Sequence, residues 1–327
     1  MTGTLRRRIH KPDSFRTEGT GDKALDILVW LLVLFAVAVT AYPFLYVISI
    51  SFSDGASVAR GEVWLLPKGF TTETYGMVMG YSQLWTSYLN TAFYTVFGTL
   101  ANIVFTCLAA YPLSRKHFFL RRKLNFFVVF TMYFSGGMIP TYMVVTGLGL
   151  YNSRLAMILP VLLSTYNMMI CRSAMESVPT DLFENAALEG ASDWYMMLHI
   201  AVPLIKPTLA VLTLYYAVAR YNDFFNAMLY LGKSELQPLQ IFLRRVLLMS
   251  SAEVLQSAGT AAADAAAKNT LKIRYVCMVL AAVPIFCITP FVQKYLVSGP
   301  MLGAVTGSVI PVSSGWRSAN NKRRYTP

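Results

Sequence analysis

The sequence predicts an all-α polytopic membrane protein with six transmembrane helices. Three observations carry this. Of its 327 residues, 55% are hydrophobic and 13% charged, about half the charged share of an ordinary soluble domain. The apolar residues gather into stretches of about 20, the length one helical crossing of a bilayer needs. The basic residues, which bring the formal charge to +12, sit in clusters between those stretches, a pattern that suits membrane topology and argues against nucleic acid as a partner.

The predicted spans follow in order. A polar, basic tail (residues 1–24) precedes the first span, residues 27–52, which carries no charge from Ile27 to Ser53. It is too long for a cleaved leader, and no small-residue cleavage site follows it. The second span, 86–113, is the most apolar part of an uncharged window from Thr74 to Ser114. The third is 124–147 and the fourth 155–175. In the fifth, 200–222, only Lys206 breaks the run from Ile200 to Ala219, and a lysine near a helix end can snorkel to the interface. The sixth is 271–297. Between spans, Asp54–Gln83 forms an outer loop, Ser250–Lys268 a weak helix or loose external segment, and residues 308–327 a cytoplasmic tail. Cys107, Cys171, Cys277 and Cys287 all lie in or beside apolar stretches without a C-x-x-C pair, so they are expected as small buried hydrophobes. Pro140, Pro160 and Pro203 are expected at kinks or span ends, and Gly136-Gly137 where helices cross closely.

An even number of spans places both ends on one side. With that side cytoplasmic (N-in, C-in), 18 of the 28 Lys and Arg residues fall inside, as the positive-inside rule requires. Seven of the other ten lie between Arg220 and Arg274, a long stretch where the rule has less force.

Several function classes are disfavoured by what is missing. No G-x-x-x-x-G-K-[ST] loop is present, so the chain has no such route to bind ATP. His10, His117 and His199 are scattered, and no H-E-x-x-H pair or carboxylate cluster could hold a metal. The chain is therefore expected to be non-catalytic and to bind no cofactor. A proton-coupled carrier would place Asp, Glu or His in mid-membrane, and the cores of the first four spans and the sixth contain none. The energy for any transport must come from elsewhere.

The most informative segment runs from Pro179 through Thr180, Asp181, Leu182, Phe183, Glu184, Asn185, Ala186, Ala187, Leu188 and Glu189 to Gly190, Ala191, Ser192, Asp193 and Trp194. Asp181 and Glu184 make a D-x-x-E start for a short helix, Gly190 ends it, and Ser192 caps the next helix. A well-capped connector fits this pattern too. Glu184, Ala186, Gly190, Ile200 and Pro203 nevertheless stand in the register of the EAA loop (residues 179–203), and the segment resembles that loop of binding-protein-dependent ABC transporter permeases. Asn185 replaces the first Ala of the pattern, and Val202 a Leu. Phe134-Ser135-Gly136-Gly137-Met138-Ile139-Pro140-Thr141-Tyr142, Leu159-Pro160, Tyr221-Asn222-Asp223-Phe224-Phe225-Asn226-Ala227 and Pro238-Leu239-Gln240 resemble the carbohydrate-uptake branch, over residues 20–307. Within it they look most like the importers of complex oligosaccharides in Gram-positive bacteria.

The resemblance implies a type I ABC importer permease in the bacterial cell membrane, with residues 25–307 as the permease domain. Its implied partners are a second homologous permease subunit, two ATP-binding subunits that hold ATP and Mg, an extracellular solute-binding lipoprotein and an oligosaccharide. Glu184, Asn185, Ala186, Ala187, Gly190 and Asp193 would form the coupling helix and its turn against the ATPase. For the sugar path, aromatic faces and amide or carboxylate hydrogen bonds make Tyr133, Tyr142, Tyr166, Asn167, Tyr215, Tyr221, Asn222, Asp223 and Asn226 the candidates, although Tyr and Asn in spans commonly serve helix packing. A permease for a non-sugar solute remains an alternative. A membrane-embedded glycosyltransferase would need interfacial carboxylates or a metal, and neither is in the sequence.

Overall fold

A computed structural model describes residues 20–256 and 272–286, and every regular element among them is helical. The first helix, α1 (Thr20–Phe52), contains a 28-residue apolar run from Leu25 to Phe52, about 42 Å long at 1.5 Å per residue. That exceeds the hydrocarbon thickness of a bilayer. Trp30 and Phe35 on it are exposed, apolar surface of the kind that lipid covers.

At the C-terminal end of α1, hydroxyls tie down the predicted loop. Ser49 Oγ donates to the Leu65 carbonyl at 2.6 Å, Ser51 Oγ pairs with the Tyr75 hydroxyl at 2.8 Å, and Ser53 Oγ accepts from the Lys68 amide at 3.1 Å. Helix α2 (Gly55–Ala59) is capped by Asp54, which accepts from the Ala56 and Ser57 amides at 2.7 and 2.9 Å. The Ser57 hydroxyl also donates to Asp54 and, with these amides, holds its carboxyl below the usual carboxylate range. Gly69 (φ +63°) packs against this cap: a Cβ there would fall 2.4 Å from Asp54 Oδ2, so a side chain would have to displace the cap. Helix α3 (Glu73–Met79) completes the segment, with the Phe52 ring stacked on both Phe70 and Tyr75.

Helix α4 (Ser82–Ser114) matches the second predicted span and is again long and apolar enough to cross. The third span differs from expectation. Instead of one helix over 124–147, α5 (Arg121–Tyr133) and α6 (Met138–Gly147) meet at 112°. Gly137, at φ +84°, makes the turn, and nothing lies within 4 Å of where its Cβ would stand. The Gly136-Gly137 pair thus marks a bend, and among the described residues no other helix approaches it closely. The fourth span, 155–175, is also not continuous. A 3₁₀ turn (Arg154–Met157) leads through irregular backbone to α7 (Thr165–Glu176), whose 12 residues reach about 18 Å.

Two short helices follow, α8 (Thr180–Leu188) and α9 (Asp193–Met196), then a π turn (Met197–Ala201) and α10 (Val202–Leu204). Helix α11 (Lys206–Tyr221) leaves at 84°, so the fifth span is broken as well. Pro203 and Pro207 flank the break and cannot supply the N–H groups that a straight helix would use. After α12 (Phe224–Tyr230) comes α13 (Leu239–Gln256), an 18-residue helix that the sequence did not foretell. The last described helix, α14 (272–286), is part of the sixth predicted span. The rest of that span, the terminal tails apart from residues 20–24, Cys287 and most of Ser250–Lys268 lie outside the described residues. Among those described, two helices are long and apolar enough to cross a membrane, or four if each bent pair is one crossing. The core joins α4, α7, α8, α9 and α11 around Met168, Cys171, Met175, Met197 and Leu212, and Cys107, Cys171 and Cys277 are buried as expected.

Candidate functional site

Two regions carry chemistry. The first is α8. Its helix begins two residues earlier than the D-x-x-E pattern suggested: Pro179 stands at the cap with no side-chain bond, and Asp181 lies in the first turn, where a carboxylate still favours the positive helix end. The exit follows expectation. Gly190 N donates to the Ala187 carbonyl at 3.0 Å and Ala191 N to that of Ala186 at 2.9 Å, with Gly190 at φ +84°, a Schellman turn. Ser192 Oγ then caps α9 by accepting from the Tyr195 amide at 3.3 Å.

One side chain seats this helix. Phe183 is buried in the main core, with Ala186 packed beside it, and the Arg115 guanidinium lies 3.6 Å from the Phe183 ring centroid. Arg115 also donates to the Met175 carbonyl at 3.2 Å, and burial pulls its pKa down. Glu184, Asn185, Ala187 and Gly190 face outward, as does Leu188. Asp193 is exposed and lines a cleft of 450 Å³ with Arg115, His117 and Trp194. Nearby, Glu176 accepts from Arg172 at 2.8 Å and from Arg121, which joins α7 to α5. Partial burial raises the Glu176 carboxyl, but the two guanidinium bonds outweigh it and hold the carboxyl below the usual range.

The second region is a polar row on α4. Asn90, Tyr94, Gly98, Asn102 and Thr106 recur every fourth residue, so they share one face, and all are buried. Each polar member of the row engages the short 3₁₀ turn Ser234–Leu236, irregular backbone or a residue that holds it. Asn90 Nδ2 donates to the Glu235 carbonyl at 2.6 Å, Tyr94 to Leu236 at 2.8 Å, and Asn102 Nδ2 to Val161 and Leu162 at 2.8 and 2.7 Å. Thr106 pairs with Tyr216, whose hydroxyl accepts from the Ser164 amide at 3.3 Å.

Arg220 on α11 completes the clamp and is 7% exposed. Its Nε and Nη2 donate to Asn102 Oδ1 at 2.9 and 2.8 Å, Nη2 also to the Ile158 and Val161 carbonyls at 3.2 and 3.0 Å, and Nη1 to the Met157 carbonyl. Gly98 makes room: a Cβ there would sit 3.1 Å from Arg220 Nε. Backbone that leaves a helix inside a membrane must find its hydrogen bonds within the protein, and the carbonyls of Met157, Ile158, Val161 and Leu162 find theirs here. The sequence reading missed Arg220, Asn102, Tyr216, Phe183 and Arg115. The four-residue spacing on α4 was the available signal.

The candidate sugar-path residues are not gathered into one site. Tyr133, Tyr166, Tyr215 and Asn222 are exposed. Tyr142 stacks on Tyr230 at 6.1 Å, and Tyr221 donates to the Ala281 carbonyl at 2.6 Å. Asp223 caps α12, accepting from the backbone and side-chain nitrogens of Asn226 at 3.3 and 3.0 Å. Asn167 is 8% exposed in the core-facing side of α7.

Bent apolar helices clamped onto a long central one, with two helices long and apolar enough to cross a bilayer, define a helical integral membrane protein. Comparison with known proteins makes this specific. The chain is 38% identical to LplC of Bacillus subtilis over 83% of its length and 90% of that protein's. It is 34% identical to the Bacillus subtilis polygalacturonan/rhamnogalacturonan transport system permease protein YtcP, over 88% of this chain and 99% of the relative. A chain of a bacterial ABC transporter involved in the import of the acidic polysaccharide alginate superposes with a TM-score of 0.76 at 32% identity, covering 85% of this chain and 98% of that one. No protein-family model matches. The chain belongs to the family of ABC transporter permeases for carbohydrate import.

Proposed function

We propose that this chain is one of two permease subunits of an ATP-driven oligosaccharide importer, and that α8 couples it to a cytoplasmic ATPase. The protein crosses the membrane six times, with both termini inside. The bent pair α5–α6, the segment 154–176 and the bent α9–α11 act as broken spans, and α14 belongs to the sixth. ATP and Mg are held by two partner subunits, and an external solute-binding lipoprotein delivers the sugar. One observation supports the coupling role above others: α8 is anchored by a single buried ring, Phe183, while Glu184 and Leu188 face away from the bundle. Such a helix transmits a push as a rigid lever. Glu184 anchors it to a basic residue of the ATPase, and Ala187 and Asn185 allow close approach. Along the path, the exposed Tyr133, Tyr166, Tyr215 and Asn222 offer faces to sugar, and Tyr142, Tyr221, Asp223, Asn226 and Asn167 support the walls.

In proteoliposomes holding the whole complex, saccharide uptake is expected only with ATP and the binding protein, and an imposed proton gradient should drive none. Gradient-driven accumulation by this chain alone would defeat the proposal. Topology has its own test. In intact cells Lys68→Cys should react with an impermeant thiol reagent while Lys116→Cys stays shielded, and the reverse pattern would invert the orientation.

A further inference from the structure

The 450 Å³ cleft beside α9 grades from apolar to charged along the axis of a membrane helix. Leu108, Tyr111, Pro112 and Arg115 on its wall are spaced to share one face of α4 and its C-terminal cap. Leu108 stands about 10 Å further into the span than Arg115. Asp193 and Trp194 of α9 line the same cleft. Two features mark it as a ligand site. Tyr111 is 5% exposed, and among the described residues its hydroxyl has no hydrogen-bond partner, a state that buried polar groups rarely keep. Arg115 and Asp193 carry opposite charges into one cleft, yet among the described residues no ion pair joins them. Arg115 is held ready by its own contacts: Nε donates to Ser114 Oγ and Nη2 to the Met175 carbonyl, both at 3.2 Å.

We infer that this cleft holds a zwitterionic phospholipid with a primary ammonium, such as phosphatidylethanolamine, an inference that rests on the topology above, which puts Arg115 at the cytoplasmic interface. The chemistry fits part by part. The phosphate meets the Arg115 guanidinium, and the ammonium donates to the Asp193 carboxylate. The Tyr111 hydroxyl reaches an ester oxygen, while Leu108 and Pro112 meet the start of an acyl chain. Trp194, 64% exposed, takes the headgroup level where aromatic residues gather. Pockets between spans on the cytoplasmic side are known hosts of lipid headgroups. The paired charges choose among lipids: an anionic headgroup is opposed by Asp193, and free phosphate has no use for the apolar half. Arg115 also lies on the Phe183 ring that seats α8, so the lipid braces that helix from the membrane side.

The test uses the complete complex in detergent, stripped of its own lipid and offered an equimolar mixture of phosphatidylethanolamine, phosphatidylcholine and phosphatidylglycerol with one acyl composition. Retained lipid is counted by native mass spectrometry. Wild type should hold phosphatidylethanolamine about tenfold over phosphatidylcholine, whose quaternary ammonium has no N–H for Asp193, the worth of one charge-assisted hydrogen bond. Asp193→Asn should erase that preference, and Asp193→Lys should turn it toward phosphatidylglycerol, a gain that mere loss of structure would not give. Trp194→Ala should lower retention of all three. Glu189→Lys, an equal charge change at an exposed residue outside the cleft, should alter nothing. The same preference in Asp193→Asn as in wild type, or the same change in Glu189→Lys, would remove the site. Displacement of the lipid by inorganic phosphate would make the cleft an anion site. Lipid retained only after the ATPase is dissociated would assign the cleft to the ATPase, and either result refutes the lipid. Retention is read without transport, so these outcomes leave the importer standing, whereas absence of ATP-driven uptake would fail the importer and leave the lipid preference intact.

Discussion

Arg220→Met is expected to destabilise the protein by about 3 kcal/mol or more and to abolish transport. Replacing a buried ion pair with apolar side chains is often harmless, because both charged partners leave together. Here the partners are the Met157, Ile158 and Val161 carbonyls and Asn102 Oδ1, and main-chain carbonyls stay when the guanidinium goes. Each unsatisfied buried polar group costs about 1–3 kcal/mol. Arg220→Lys keeps the charge but not the fork that reaches several oxygens at once, so an intermediate loss is expected. Asn102→Leu should be as damaging as Arg220→Met, since it orphans the Leu162 carbonyl, leaves that of Val161 to Arg220 alone and removes the acceptor that Nε uses. In a double-mutant cycle the two losses should fall well short of additive. The measurement is thermal unfolding of the purified complex in detergent, followed by uptake in proteoliposomes. Unchanged stability in both single variants would show that the clamp contributes nothing.

Glu184→Lys and Gly190→Leu should leave the subunit at normal levels in the membrane, yet weaken its hold on the ATPase or uncouple hydrolysis from transport. Glu184 is exposed, so its loss leaves the fold of this chain untouched. A charge of the wrong sign at an interface costs several kcal/mol, so Glu184→Lys should be worse than Glu184→Ala. Gly190 stands at φ +84° with open space where a Cβ would lie. A substituent there has room, and the cost is backbone strain of about 1–2 kcal/mol, enough to redirect a short helix without unfolding the bundle. Phe183→Ala works from the other side. It empties the buried anchor and removes the ring beneath Arg115, with an expected loss of about 3–5 kcal/mol and the same uncoupling. Co-purification of the ATPase and substrate-stimulated hydrolysis decide the matter: normal assembly and coupling in both Glu184→Lys and Gly190→Leu would reduce α8 to a connector.

Local chemistry was readable before any coordinates. The runs that became α1 and α4 announce themselves because hydropathy summed over twenty or more residues is a thermodynamic statement about the whole segment. Gly190 and Ser192 were legible because a left-handed turn and a helix cap are settled by one residue and its immediate neighbours. Even here one detail escaped: Pro179, with its fixed φ, opens α8 two residues early and displaces Asp181 from the cap into the first turn.

The clamp was not readable, and the reason is physical. A hydropathy window records how apolar a stretch is, and is silent on where its backbone hydrogen bonds go. Residues 155–175 and 124–147 are apolar enough to be drawn as straight spans, yet the chain breaks in both, by 112° at Phe134–Gly137 and into irregular backbone after Met157. Broken backbone survives in an apolar solvent only where its polar groups are satisfied, and after Met157 the side chains that do so are Asn102, Tyr216 and Arg220, separated by up to 118 residues in sequence. A single step along α11, about 100° of helix rotation, separates exposed Tyr215 from buried Tyr216. Composition therefore determines that this chain enters a membrane, and local sequence determines how α8 turns. Which polar residues are structural and which are left free to meet a sugar is decided only when α4 and α11 pack face to face.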